Sequence, residues 1–420
     1  MFYYHEATNH TFTSVRSGTH RLDWSRRPSP FKHYPDALTT IQLSETDPLH
    51  RFLYRIGGIT AKKVYPGMEY YLRTVPSAGA LYPTEIYFQS REVEGLEDGI
   101  WHIDVQGGAL ELLYRLAPDE GIEAAFEDNR AVSGLFFLFS AIYYRSSWKY
   151  RSRAFRYCLL DTGHILGALE ASAYLYDHAA YIRYHFDRTR LNDAFGFAPE
   201  EFFLSGAQVG VPRLRRIGRL EMRRAPAPLA YARDPLIEEA YRRSSKLRGC
   251  TPQRGYDPFS FSKEAFAECV MRRRSIRAFA RVPIAKAAFD AIMETVRKKI
   301  LSDCDEPVQI YTVVNAIEGM ERGLYLENEL VKRGDFRQKA GYLCLEQSLG
   351  SESAATLFLT GKSERYQPLM QKAGHLGHRL YLAADYLQIG CSGIGAYYDD
   401  EVRAFLQTDA MILYALAIGR

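Results

Sequence analysis

Long hydrophobic runs are missing from this chain of 420 residues: none approaches the roughly 20 consecutive apolar residues that a membrane helix needs. The nearest candidate, residues 131–144, is too short, and its aromatic and β-branched residues suit a buried strand. Cysteine is sparse. Cys158, Cys250, Cys269, Cys304, Cys344 and Cys391 include no Cys-x-x-Cys pair, which argues against a zinc site and a disulfide scaffold and predicts buried thiols in a reducing compartment. The opening residues, Met1-Phe2-Tyr3-Tyr4-His5-Glu6, lack a basic stretch followed by an apolar core, so no signal peptide is expected. A one-sided charge is lacking too. The 54 Lys and Arg face 50 Asp and Glu, and a net charge of +4 is too mild to mark a nucleic-acid surface. These absences predict a cytoplasmic chain with no membrane, nucleic-acid or metal partner.

What is present is core-forming material. A hydrophobic share of 47% with 25% charged residues is that of an ordinary folded protein, and the length suits two to three domains at roughly 150 residues each. The 30 Tyr and 23 Phe are enough to fill cores and still leave room for a flat-ring cofactor.

Two stretches a little over two hundred residues apart look alike, and such self-similarity is tested first. Each carries Gly-His (Gly163-His164 and Gly374-His375) followed by apolar residues at helical spacing with small residues interleaved, which predicts a central packing helix in each half. Each is followed by a short segment and a further helix (residues 190–194 and 400–406), then by an apolar strand ending on glycine (residues 205–210 and 414–419). The spacing predicts two α+β domains of similar fold in tandem, residues 1–211 and 255–420. Residues 212–254, proline-bearing and rich in arginine, read as a basic linker: a solvated connector, or a groove for an acidic peptide or cofactor.

Four motifs bear on chemistry. In Arg272-Arg273-Arg274-Ser275-Ile276-Arg277, alternate residues of an extended loop point the same way, so Arg273, Ser275 and Arg277 would converge as two guanidinium forks and a hydroxyl. Such a set suits a phosphate, although arginine clusters near helix ends also serve as solvated surface. In Pro76-Ser77-Ala78-Gly79-Ala80-Leu81-Tyr82-Pro83, two prolines bracket small residues that let a backbone approach a planar ligand, or simply make a tight loop feeding a strand. Cys391-Ser392-Gly393-Ile394-Gly395-Ala396 could offer backbone N–H groups to a ligand edge, or serve as a helix-to-helix turn. Lys149-Tyr150, before the first Gly-His helix, could move a proton if burial lowered the lysine pKa.

Together these residues resemble the FMN-dependent nitroreductase superfamily, and within it the SagB-type dehydrogenases of azole formation in modified peptides. The Arg273-x-Ser275-x-Arg277 loop is similar to the FMN-phosphate motif. Pro76 to Pro83 matches the SagB-type Pro-Ser-Ala-Gly-Ala-Leu-Tyr-Pro element, which in homodimers reaches the flavin from the partner subunit. Gly393 to Glu401 is similar to the loop that meets the ring near N5 and O4, and Trp148 to Tyr157 with Asp161-Thr162-Gly163-His164 resembles the Lys-Tyr signature. The family usually has glycine after that pair, where this chain has Arg151. The halves have complementary losses. The first offers only Pro28 to Tyr34 where the second has its arginine loop, and Tyr181-Ile182-Arg183-Tyr184 where the second has Gly393-Ile394-Gly395-Ala396. The second offers only Cys304-Asp305-Glu306-Pro307 opposite the serine loop.

The resemblance therefore implies an intramolecular pseudo-dimer of two nitroreductase-like domains holding one FMN per chain at their interface, with further oligomerisation possible. Arg273, Ser275, Arg277 and the C-terminal Arg420 would hold the phosphate. Ile394, Gly395 and Ala396 would meet the ring edge, and Pro76, Ser77, Ala78 and Gly79 would close the other face. Lys149 or Tyr150 would handle the proton, or Lys149 would stabilise charge on the reduced ring. The implied activity is oxidation of a peptide-derived or natural-product substrate, azoline to azole being the specific case, with oxygen as acceptor. The alternatives are an NAD(P)H-dependent nitro or quinone reductase and a flavin-free peptide-binding protein.

Overall fold

The computed structural model describes residues 2–18, 21–65, 68–225, 231–257 and 259–420. The chain divides into two compact units. The N-terminal unit comprises Asp23–Asp257 with Lys299–Asp305, and the C-terminal unit Met1–Leu22, Pro258–Lys298 and Glu306–Arg420. The sequence division at 211 and 254 differs in two ways: Met1–Leu22 packs in the C-terminal unit, and the arginine-rich stretch lies within the N-terminal one.

The N-terminal unit is built on strands β1 (Thr39–Gln42), β2 (Thr84–Arg91), β3 (Gly99–Asp104), β4 (Ala109–Arg115), β5 (Arg130–Ile142), β6 (Tyr181–Arg183) and β7 (Glu201–Arg216). They form one antiparallel sheet in the order β1-β4-β3-β2-β5-β7-β6. Helices α1 (Pro48–Gly57), α2 (Tyr144–Tyr150), α3 (Ala154–Leu175) and α4 (Arg188–Phe195) accompany it. Every residue of α3 from Ala154 to Ala173 is buried. A helix buried on all sides, with Gly163, Gly167, Ala168 and Ala171 letting neighbours approach, belongs in the core. The stretch expected as a linker holds the end of β7 and helix α5 (Pro235–Ser244). Asp234 caps α5 by accepting from the Leu236 and Ile237 amides, Pro235 starts it, and Ile237 and Ala240 are buried. Of that stretch, residues 226–230 lie outside the described residues.

The C-terminal unit repeats the plan with α6 (Lys263–Arg272), α7 (Lys286–Arg297), β8 (Gln309–Val314), β9 (Gly323–Leu326), β10 (Glu329–Arg333), β11 (Ala355–Gly361), α8 (Tyr366–Tyr386), β12 (Gly390–Ile394), α9 (Asp399–Leu406) and β13 (Met411–Gly419). Its antiparallel sheet runs β10-β9-β8-β11-β13-β12. The repeat is metrically strict. Gly163-His164 and Gly374-His375 are 211 residues apart, as are the last residues of α3 and α8 and both ends of α4 and α9. That single offset places Gly395 and Ala396 opposite Tyr184 and His185, one residue beyond the sequence pairing with Arg183 and Tyr184. The fold is thus mixed α+β, with two like sheet bodies in tandem.

Candidate active site

In the C-terminal unit, the chain leaves α6 at Arg273, whose ψ of 129° ends the helix. The extended loop that follows lies along the free edge of β12: Ser275 bridges Cys391, and the Ile276 amide donates to the Cys391 carbonyl at 3.0 Å. Tyr381 of α8 ties the two together. Its hydroxyl is hydrogen-bonded to that of Ser275 at 2.9 Å and accepts from the Gly393 amide at 2.5 Å, while the buried Arg273 guanidinium stands 5.2 Å from its ring centre. Arg277 is exposed. Arg420 joins the same neighbourhood, because its carbonyl accepts from the Ala280 amide just after the arginine loop. Gly393 has no room for a side chain, since a Cβ there would lie 2.0 Å from the Tyr414 hydroxyl. The segment runs from strand into helix, not from helix to helix: Ile394 ends β12 and is buried, and Gly395 and Ala396 follow half-buried before α9.

These residues pass a simple test of fit to FMN. From Arg273 to Ala280 the loop carries Arg273, Arg274, Arg277 and Ser275 but no acid, and Arg420 lies beside it, which is the donor chemistry a phosphate requires, whereas the flanking Arg272 and Arg281 pair with Asp385 and Glu352. Beyond the end of β12, Gly395 and Ala396 bring half-buried backbone with little side chain to the same end of the strand, as an approach to a flat ligand requires. Tyr381 is a member of this cluster that sequence reasoning missed. A tyrosine inside an apolar helix reads as core, and only the fold shows its hydroxyl meeting the arginine loop and β12.

The N-terminal unit gathers the other predicted residues. Gly79 has φ +66°, and a Cβ built on it would lie 2.8 Å from the Tyr150 hydroxyl and 3.3 Å from Lys149 Nζ. The Ser77–Gly79 loop and the Lys-Tyr pair, about seventy residues apart in sequence, therefore meet. Ser77 Oγ donates to Asp161 at 2.5 Å and accepts from the Tyr82 amide at 2.9 Å, and the Ala78 amide donates to the other Asp161 oxygen at 3.4 Å. Pro76 opens this loop and is half-buried. Burial pushes the Asp161 carboxyl up to about 7, against the pull of its Ser77 and Ala78 donors. Asp161 was visible in the sequence only as part of the Gly-His signature. Burial, with help from nearby Arg27, lowers the pKa of half-buried Lys149. Arg151, where the resembled family usually carries glycine, has φ +50° and ψ −143°, a region that glycine enters without strain and other residues avoid.

The segment 28–34 shows why it makes a poor phosphate receptor. Lys32 is buried, pairs with Glu201 and donates to the Tyr87 hydroxyl at 2.9 Å, so its charge is used inside the sheet. The expectation of six thiols is corrected. Cys158, Cys269, Cys344 and Cys391 are buried thiols, but Cys250 and Cys304 form a disulfide with Cα atoms 4.8 Å apart. Paired backbone hydrogen bonds between Gln253 and Ser302, at 2.8 and 3.1 Å, hold the two segments side by side. With that pair bonded, cysteine usage no longer argues for a reducing compartment.

Among the described residues, no helix is long and apolar enough to cross a membrane. Residues 270–420 match the model of the nitroreductase family. Over 119 residues the chain is 31% identical to a protein of Methanocaldococcus jannaschii provisionally named a nitroreductase, a match taking in 28% of this chain and 57% of that one. The chain thus spans little more than half the length of this curated relative. A crystal structure from Anabaena variabilis, also provisionally described as a nitroreductase, superposes with a TM-score of 0.84 at 26% identity, covering 100% of this chain and 99% of the other. The tandem architecture is therefore a nitroreductase fold over its whole length.

Proposed function

We propose that the chain is an FMN-dependent oxidoreductase that holds one FMN and dehydrogenates a peptide-derived or natural-product substrate, azoline to azole being the specific case. The observation that carries this reading is the Tyr381 link between Ser275 and Gly393, which fixes a cationic, hydroxyl-bearing loop along β12, next to Gly395 and Ala396, within the stretch that matches the nitroreductase-family model. Arg273, Arg277 and Arg420 neutralise the phosphate, and Ser275 donates to it. The amides of Gly395 and Ala396 donate to the ring edge, where negative charge gathers on reduction. Bound FMN supplies the redox chemistry by accepting a hydride from the substrate. The complementary losses in the two halves support giving the Ser77–Gly79 loop and the Lys149-Tyr150 pair a part in the same reaction. Lys149 Nζ, with its lowered pKa, or the Tyr150 hydroxyl takes the proton that leaves with the hydride, and Asp161, which accepts from Ser77 of the loop that meets this pair at Gly79, holds a proton near neutrality.

The names of both relatives favour a second reading, an NAD(P)H-dependent nitro or quinone reductase. Mixing FMN-loaded protein with NADH and NADPH in a stopped-flow instrument separates the two. Slow or absent bleaching of the flavin supports the dehydrogenase, and rapid bleaching supports the reductase. A purified chain that is colourless and takes up no FMN would instead favour a peptide-binding protein.

A further inference from the structure

The 211-residue repeat puts the amides of Tyr184 and His185 where the C-terminal unit has those of Gly395 and Ala396. In the N-terminal unit both amides are already engaged. Tyr184 N–H donates to Asp303 Oδ1 at 2.8 Å and His185 N–H to Asp303 Oδ2 at 3.2 Å, with Arg183 Nε 3.3 Å from that second oxygen. Asp303 comes from Lys299–Asp305, which packs in the N-terminal unit although α7 and β8, flanking it in sequence, belong to the other.

This segment is firmly anchored. The Ile182 amide donates to Leu301 and the Asp303 amide to Ile182, each at 3.0 Å, so Ser302 adds a parallel bridge on the free edge of β6. On its other side the segment is bonded to Gln253 and to Thr251, and the adjacent Cys304 is joined to Cys250. In the C-terminal unit the same outer edge, that of β12, is taken by the Ser275 loop. The two halves thus use one strand edge for opposite purposes: one lines it with cationic donors, the other with a chain segment that supplies its own acid.

Two backbone amides and a guanidinium converging on a point make a receptor for two acceptor oxygens in fixed geometry. A flavin ring edge and a carboxylate both satisfy it. We propose that Tyr184, His185 and Arg183 form a carboxylate-binding nest, the relic of a second ring-edge site, and that Asp303 is its built-in ligand, which closes that half to flavin. The flavin part rests on the functional reading above; the nest does not.

The test uses the full-length chain and its Asp303→Ala variant, with sodium formate as probe. The variant is expected to melt lower than the parent, and formate is expected to restore its melting temperature saturably while chloride at equal ionic strength does not. The parent should show no formate-specific gain. Should the alanine chain fail to fold, Asp303→Ser carries the same titration. Formate no better than chloride on the variant overturns the nest. Two flavins bound per parent chain overturn the closure. Loss of all FMN binding with formate rescue intact sinks the functional reading and leaves the nest standing.

Discussion

Ser77 Oγ donates to Asp161 Oδ2 at 2.5 Å, joining a loop of small residues to an acid buried in the central helix. Because burial raises the Asp161 pKa to about 7, from 3.8 for the free side chain, the folded chain binds this proton more tightly than the unfolded one. Its contribution to stability is complete below about pH 4 and is lost as the pH rises through about 7. Asp161→Asn should therefore flatten the pH dependence of the melting temperature across that window. An unchanged slope would place the titration elsewhere.

Lys149→Ala should leave FMN binding intact, because no phosphate or ring-edge group changes, yet cut turnover by about 10²-fold or more, the usual worth of a positioned proton-transfer group. Tyr150→Phe, measured beside it, shows which of the two moves the proton. Full activity in both variants removes the pair from the reaction.

Arg151→Gly should stabilise the protein by roughly 1–2 kcal/mol, since it relieves a backbone conformation that costs about that much for a residue with a side chain. Arg151 is exposed, so no buried contact is lost. Denaturant unfolding followed by tryptophan fluorescence measures the change. A loss of stability would mean that the arginine side chain holds the turn.

Gly79→Ala should act in the opposite direction. The new methyl group meets the Tyr150 hydroxyl at 2.8 Å, at a φ that alanine rarely adopts, so the loop and the Lys-Tyr pair must move apart. A destabilisation of about 1 kcal/mol or more is expected, with turnover falling further than FMN affinity. Equal losses in both would indicate general unfolding of the loop.

Much of the fold was legible in the sequence because it rests on strong periodic signals. The two Gly-His helices and the paired terminal strands lie where their patterns placed them, and the apolar strand expected at residues 131–144 spans 130–142. Helix α5 was hidden under arginines, although Asp234, Pro235 and the buried Ile237 and Ala240 carried its start signal and apolar face. The Cys250–Cys304 bond and the Asp303 contacts were not legible at all. They depend on a seven-residue segment packing away from its neighbours in sequence, held by isolated bridges that leave no periodic trace. Tyr381 was hidden for a related reason: apolar spacing marks a tyrosine as core and is silent about its hydroxyl.

The central claim is that the arginine loop of the C-terminal unit holds the phosphate of a single flavin. The most direct measurement is an FMN titration of the purified full-length chain and of Arg277→Ala, an exposed position whose loss should not disturb the fold. The account predicts one FMN per parent chain and an affinity about 10-fold or more weaker in the variant, the worth of one charge-assisted contact. Uptake of two flavins, of none, or with equal affinity by both chains would contradict it.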